Sequence, residues 1–125
     1  MNVEGISWHA IVLEPEPFAA TKALMSETFG LVPAMEAEGM VLFIMPNGTN
    51  LELNEPQADS ADYGFNDGLV FGFRVDDVEA ASAAVEEAGC ELLGEITRVE
   101  EVAYAYRRFR GPDGRVYSLN EQKQS

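Results

Sequence analysis

An α+β fold of two tandem βαβββ modules, their curved mixed sheets arranged around a cavity, is what the 125-residue sequence predicts. Three observations lead there. The pattern of a strand, a helix and three further strands can be read twice in the same order. Each helix is closed by a glycine, Gly30 in the first half and Gly89 in the second. Between the halves lies a stretch rich in Asp, Ala and Asn, residues 55–67, long for a connection inside a compact domain. The expected organisation is a single domain over 1–125, with module one at about 5–54, the connector at about 55–67 and module two at about 68–121.

Residues 6–13 (ISWHAIVL) are apolar and β-rich and read as the first strand. Glu14-Pro15-Glu16-Pro17 ends it, because proline cannot donate to a ladder and its fixed φ suits the first turn of a helix. Phe18, Leu24, Met25 and Phe29 fit one face of that helix. Residues 32–36, 40–45 and 50–54 follow as strands, and Pro46-Asn47-Gly48-Thr49 is a hairpin signal, since Asn-Gly tolerates positive φ. The second half starts with a strand at 69–75. Asp76-Asp77 then caps a helix with Val78, Ala81, Val85 and Ala88 as its apolar stripe. Strands at 91–97 and 102–110, the turn Gly111-Pro112-Asp113-Gly114 and a strand at 115–120 complete it.

Eight Lys and Arg against 22 Asp and Glu give a formal charge of −14. Such a chain repels a phosphate backbone, so nucleic acid is disfavoured and not expected as a partner; the acidity reads as a solvated surface or, more sharply, as attraction for cationic ligands. No apolar run is long enough for a membrane helix and the first residues lack a secretory pattern, so no membrane partner and a cytoplasmic location are expected. Cys90 has no second cysteine to pair with and is read as a buried, inert thiol. Dinucleotide, P-loop, CxxC, nucleophile-elbow and HExxH signatures are all missing.

Within 102–110 small and large residues alternate, so Tyr104, Tyr106 and Arg108 share a strand face and form the best candidate ligand wall. Arg107, Arg108 and Arg110 make a local basic cluster able to meet surface carboxylates or an anionic substrate. By the same alternation Trp8 faces away from His9, and Phe71 and Phe73 belong to the core. Met35, Met40 and Met45 are read as fillers of irregular gaps.

Ile6 to Leu13 before the first helix, Phe29-Gly30-Leu31 closing it, Phe73-Arg74-Val75-Asp76-Asp77 opening the second, and Gly111-Pro112-Asp113-Gly114 before the last strand together resemble the vicinal oxygen chelate superfamily. That group includes glyoxalase I, extradiol dioxygenases, and the fosfomycin and bleomycin resistance proteins. The resemblance implies metal ligands, commonly His and Glu, on the first and last strand of each module. Those positions fall on His9, Glu52, Val70 and Ser118. The first two match. Valine has no donor atom and a neutral serine hydroxyl replaces a carboxylate poorly, leaving His9 and Glu52 as a partial metal site. Asn120 shares the face of Ser118, whereas Glu121 points the other way unless the strand is bulged. With one histidine in the chain, extradiol dioxygenase chemistry is disfavoured.

Two readings follow. In the first, the resemblance implies a homodimer that binds a small molecule, such as a cationic drug or metabolite, without a conventional metal centre and with His9, Glu52, Tyr104, Tyr106 and Arg108 in contact with it. In the second, it implies a glyoxalase-type lyase or isomerase with a weakly held divalent metal on His9 and Glu52, and Glu52 as the catalytic base.

Overall fold

The computed structural model describes residues 2–56 and 69–123, so most of the connector expected at 55–67 lies outside the described residues. The element order is β1 (Val3–Val12), α1 (Pro15–Ala23) continued by a π-helical turn (Leu24–Thr28), β2 (Pro33–Ala37), β3 (Met40–Ile44), β4 (Asn50–Asn54), β5 (Leu69–Val75), α2 (Val78–Glu87), β6 (Glu91–Val99), a 3-10 turn (Glu100–Val102), β7 (Tyr104–Arg110) and β8 (Val116–Gln122). This is βαβββ twice over, and the α+β class stands as expected. The residues gather into two compact units. One holds β1 from Trp8 onward with α1, β2, β3 and β4, and the other holds the first residues of β1 with β5, α2, β6, β7 and β8.

In the first unit the strand order is β2-β3-β4-β1, with β4 parallel to β1 and the other pairs antiparallel. One sheet face buries Val41, Phe43 and Leu53, packed by Ile11, Leu13, Leu51 and Met45 and covered by Phe18, Met25 and Leu31. The helical stripe expected from the sequence holds only in part. Leu24 and Phe29 are exposed, Phe29 at 60%. Leu24 stands about 240° round the helix from Phe18 and so off the packed face, whereas Phe29 has a local cause: its N–H bonds to the Leu24 carbonyl at 3.1 Å, an i to i+5 step, and that π turn rotates it away from the 3.6-residue phase.

In the second unit the order is β5-β8-β7-β6, again with one parallel pair, β5 with β8. Beneath α2 lie Val75, Val78, Ala81, Ala105, Phe109 and Leu119, with Cys90 and Tyr117 packed against them. The first three N–H groups of α2 all meet carboxylates. Asp77 accepts from Glu79 and Ala80 at 3.0 and 3.1 Å, and Glu121, buried on β8, accepts from Val78 at 2.9 Å. An unpaired helix N-terminus is thereby satisfied and its dipole met by negative charge.

β7 begins two residues later than expected, because Glu100–Val102 forms a 3-10 turn that ends on Ala103 in the left-handed region at φ 51°. This conformation costs a side chain with a Cβ about 1–2 kcal/mol. Ala103→Gly is expected to raise stability by roughly 0.5–1 kcal/mol, the relieved strain less the added chain entropy of glycine. Urea denaturation with an unchanged m-value checks it.

At the β7–β8 turn, Asp113 accepts from the Tyr117 hydroxyl at 2.6 Å and from Arg115 N–H at 3.1 Å. The Tyr117 bond, followed by the Arg115 N–H, holds the Asp113 carboxyl below its ordinary 3.8, and the same bond to Asp113 pushes the Tyr117 phenol above 10.0. Gly111 is required here, since a Cβ would stand 2.9 Å from Tyr117 Cε2. A depressed carboxylate contributes stability above its unfolded pKa and loses it as pH falls through the folded one. Asp113→Asn is therefore expected to lower Tm at neutral pH, with the gap to the unsubstituted protein closing as pH drops below about 4. Thermal melts of both proteins across pH 2–7 read it directly.

Candidate functional site

Residue pairing decides which side chains of β1 and β4 can meet. Trp8 pairs with Asn50, His9 with Leu51 and Ala10 with Glu52. Side chains alternate faces along a strand, so His9 falls on the side of Leu51 and Leu53, and Glu52 on the side of Trp8 and Ala10. Contacts agree with this placement. The Trp8 indole N–H donates to Glu52 Oε1 at 3.4 Å, and the Asn54 amide donates to Oε2 at 2.9 Å. His9 Nδ1 lies 2.9 Å from the Asn50 carbonyl oxygen.

The partial metal site expected on His9 and Glu52 is therefore corrected: the two side chains leave opposite faces of the strand pair. An offset of one residue in β1 separates the two outcomes, because strand period is two and every odd offset exchanges the faces. Trp8, the donor that Glu52 does use, is set against His9 by parity within β1, but only the pairing of β1 with β4 places it beside Glu52.

Module two assembles more of its expected residues. Tyr104, Tyr106 and Arg108 share a face of β7, paired in turn with Gln122, Asn120 and Ser118 of β8. The Tyr104 and Tyr106 rings lie 5.7 Å apart, and the Arg108 guanidinium sits 4.3 Å from the Tyr106 ring centroid. Arg108 Nη1 donates to Ser118 Oγ at 2.8 Å, and Ser118 Oγ in turn donates to Asn120 Oδ1. Ser118 and Asn120 are buried, at 0% and 3% exposure. The sequence offered Ser118 and Asn120 only as poor metal ligands; their role as partners of Arg108 depends on cross-strand register, which has no signal in the sequence.

These residues do not fit a divalent metal of the kind the resemblance implies. Among the described residues no group of three or more His, Cys, Asp or Glu is gathered to hold one. Val70 brings no donor, Ser118 is engaged with Arg108 and Asn120, and Glu121 points to the opposite face, where it caps α2. β8 is regularly paired through Glu121 and Gln122, so no bulge turns that carboxylate round.

No curated protein matches the chain by sequence. Solved structures do match in fold. A Mn(II)-bound glyoxalase from Novosphingobium aromaticivorans superposes with a TM-score of 0.72 at 22% identity, covering 98% of this chain and 42% of that one. The chain thus spans less than half the length of that glyoxalase. A methylmalonyl-CoA epimerase from Streptomyces coelicolor in complex with 2-nitronate-propionyl-CoA gives 0.68 at 19% identity, covering 98% and 100%. An extradiol ring-cleaving dioxygenase from B. fuscum gives 0.73 at 19% identity, covering 98% and 34%. With the family model matched over residues 12–117, across both βαβββ modules, the chain belongs to the Glyoxalase/Bleomycin resistance protein/Dioxygenase superfamily.

Proposed function

We propose that this protein binds a small molecule on the Tyr104–Tyr106–Arg108 face of module two, without a four-ligand metal centre and as a homodimer. The observation that carries the reading is the hydrogen-bonded chain from Arg108 through Ser118 to Asn120. At the position where the resemblance implies the fourth metal ligand, the hydroxyl takes a hydrogen from a guanidinium and gives its own to an amide. Its bonding capacity is turned toward protein rather than toward a cation. Beside it, two tilted tyrosine rings and an arginine over the Tyr106 ring supply what small-molecule sites use: flat apolar area with a few fixed polar groups.

The lyase or isomerase reading draws on Glu52, whose carboxylate is oriented by Trp8 and Asn54 and has the chemistry of a proton acceptor. It is the weaker of the two, because His9 leaves the opposite face. Among the described residues no helix is long and apolar enough to cross a bilayer.

A thermal-shift screen of drug-like and metabolite-like compounds, run with and without chelator, tests the proposal. Native-state binders raise Tm, and the expected hits keep their shift in chelator and lose it in Tyr106→Ala. Hits that vanish on chelation, or that survive Tyr106→Ala unchanged, would sink it. Sedimentation velocity tests the dimer, with a single monomeric species as the opposing result.

A further inference from the structure

We propose that a second site, on the sheet face opposite Tyr104, Tyr106 and Arg108, takes a small organic cation: an ammonium group carried on an apolar body of about one ring.

Three strands bring a row of rings to that face. Phe109 of β7 pairs with Tyr117 of β8, and Phe73 of β5 pairs with Leu119, two residues beyond Tyr117. Alternation sets all of them on the side away from Arg108 and Ser118. The Tyr117 ring centroid lies 5.6 Å from that of Phe109 and 5.9 Å from that of Phe73, so the three make one apolar wall. With Gly111, Pro112 and Asp113 of the β7–β8 turn they line an open cleft of about 420 Å³. Small-molecule sites have volumes of about 300–1,000 Å³. A Cβ at Gly111 would stand 2.9 Å from Tyr117 Cε2 and 3.1 Å from Asp113 Oδ1, so the glycine leaves a corner bounded by both the ring and the carboxylate.

What the cleft offers in that corner is acceptance. The Tyr117 hydroxyl gives its hydrogen to Asp113 Oδ2 at 2.6 Å, and Arg115 N–H reaches Oδ1 at 3.1 Å. Those bonds hold the carboxyl below its ordinary range, so it is ionised at neutral pH. A carboxylate has about four acceptor positions, and two bonds leave room for a ligand's hydrogens. The backbone adds no donor from Gly111, whose N–H goes to the Arg115 carbonyl at 2.9 Å, or from Pro112, which has none.

Charge points the same way. Asp113 is the only charged side chain among the described residues that line the cleft. Arg110, next to the turn, is engaged by Glu91 at 3.5 Å and by the Gly114 carbonyl at 2.9 Å. A ligand that fits therefore brings hydrogens and positive charge at one end and apolar surface at the other. The net charge of −14 raises the local concentration of such cations. This site shares no residue with the Tyr104–Tyr106–Arg108 face, so either can stand without the other.

Titration of the isotope-labelled full chain with 2-phenylethylammonium, the neutral 2-phenylethanol and the anion 3-phenylpropionate, followed residue by residue by NMR, tests the inference. The ammonium is expected to shift Gly111, Asp113, Gly114 and Tyr117 and to bind about five-fold tighter than the alcohol, the scale of one exposed ion pair, with the anion shifting none of them. In Asp113→Asn, measured well below its melting temperature, that preference should shrink to within about two-fold. If Asp113→Asn does not fold, the ranking of the probes and the residues they shift in the unsubstituted protein decide. Equal binding of the three probes, a preference for the ammonium that survives Asp113→Asn, or no shift at this turn from any probe would overturn the inference. Ammonium shifts confined to Tyr104, Tyr106 and Arg108 would overturn it as well, and would leave the proposed function standing.

Discussion

Phe43→Ala is expected to remove about 3–5 kcal/mol of stability, the range for deleting a buried aromatic side chain together with the cavity it leaves. Phe43 is 0% exposed in the middle of β3, paired with Leu51 on one side and Pro33 on the other. Phe18 and Met25 close over the same cluster from α1 and its π turn. Because backbone atoms of β2, β3 and β4 fix the walls, little collapse into the void is available, and the larger end of the range applies. The control is one residue away. Ile44 faces the other side of the strand at 52% exposure, and Ile44→Ala is expected to cost less than about 1 kcal/mol. Urea unfolding of the two variants checks the face assignment; equal losses would contradict it.

Glu121→Ala is the second large effect, at about 2 kcal/mol. The variant leaves Val78 N–H buried without its acceptor and removes a negative charge from the N-terminus of α2. Glu121→Gln keeps an acceptor and loses only the charge, so about half of that loss is expected. Hydrogen exchange at Val78 should quicken in the alanine variant before global unfolding does. An alanine variant as stable as the parent would show that water replaces the carboxylate. The consequence reaches the candidate site, because a side chain anchored under α2 holds its strand neighbours Asn120 and Gln122 on the opposite face. Glu121 is thus the anchor that keeps Asn120 beside Tyr106, with its own carboxylate on the face turned away from Ser118.

How far the sequence reached differs from one residue to the next. Proline pairs, closing glycines and the Asp77 cap are local signals with local causes, so both modules and most strand ends could be read from them. The face shared by Tyr104, Tyr106 and Arg108 was equally legible, since alternation within one strand needs no partner. Where a partner is needed, legibility stopped. Phe29 lost its place in the core because a π turn altered the phase of α1, and the residues of that turn carry no mark of it.

By itself, then, the sequence determined the α+β class, the doubled βαβββ order, the aromatic and arginine stripe of β7, and the shortage of metal-binding residues in a chain with one histidine. The tertiary structure alone decided that Glu52 meets Trp8 and Asn54 with His9 on the other face, that Ser118 and Asn120 bond in series to Arg108, and that Glu121 caps α2. The physical reason is the same in each case. Periodicity along a strand tells which residues share a face, but register between strands is set by backbone pairing and core packing across many residues, and a shift of one position exchanges every face.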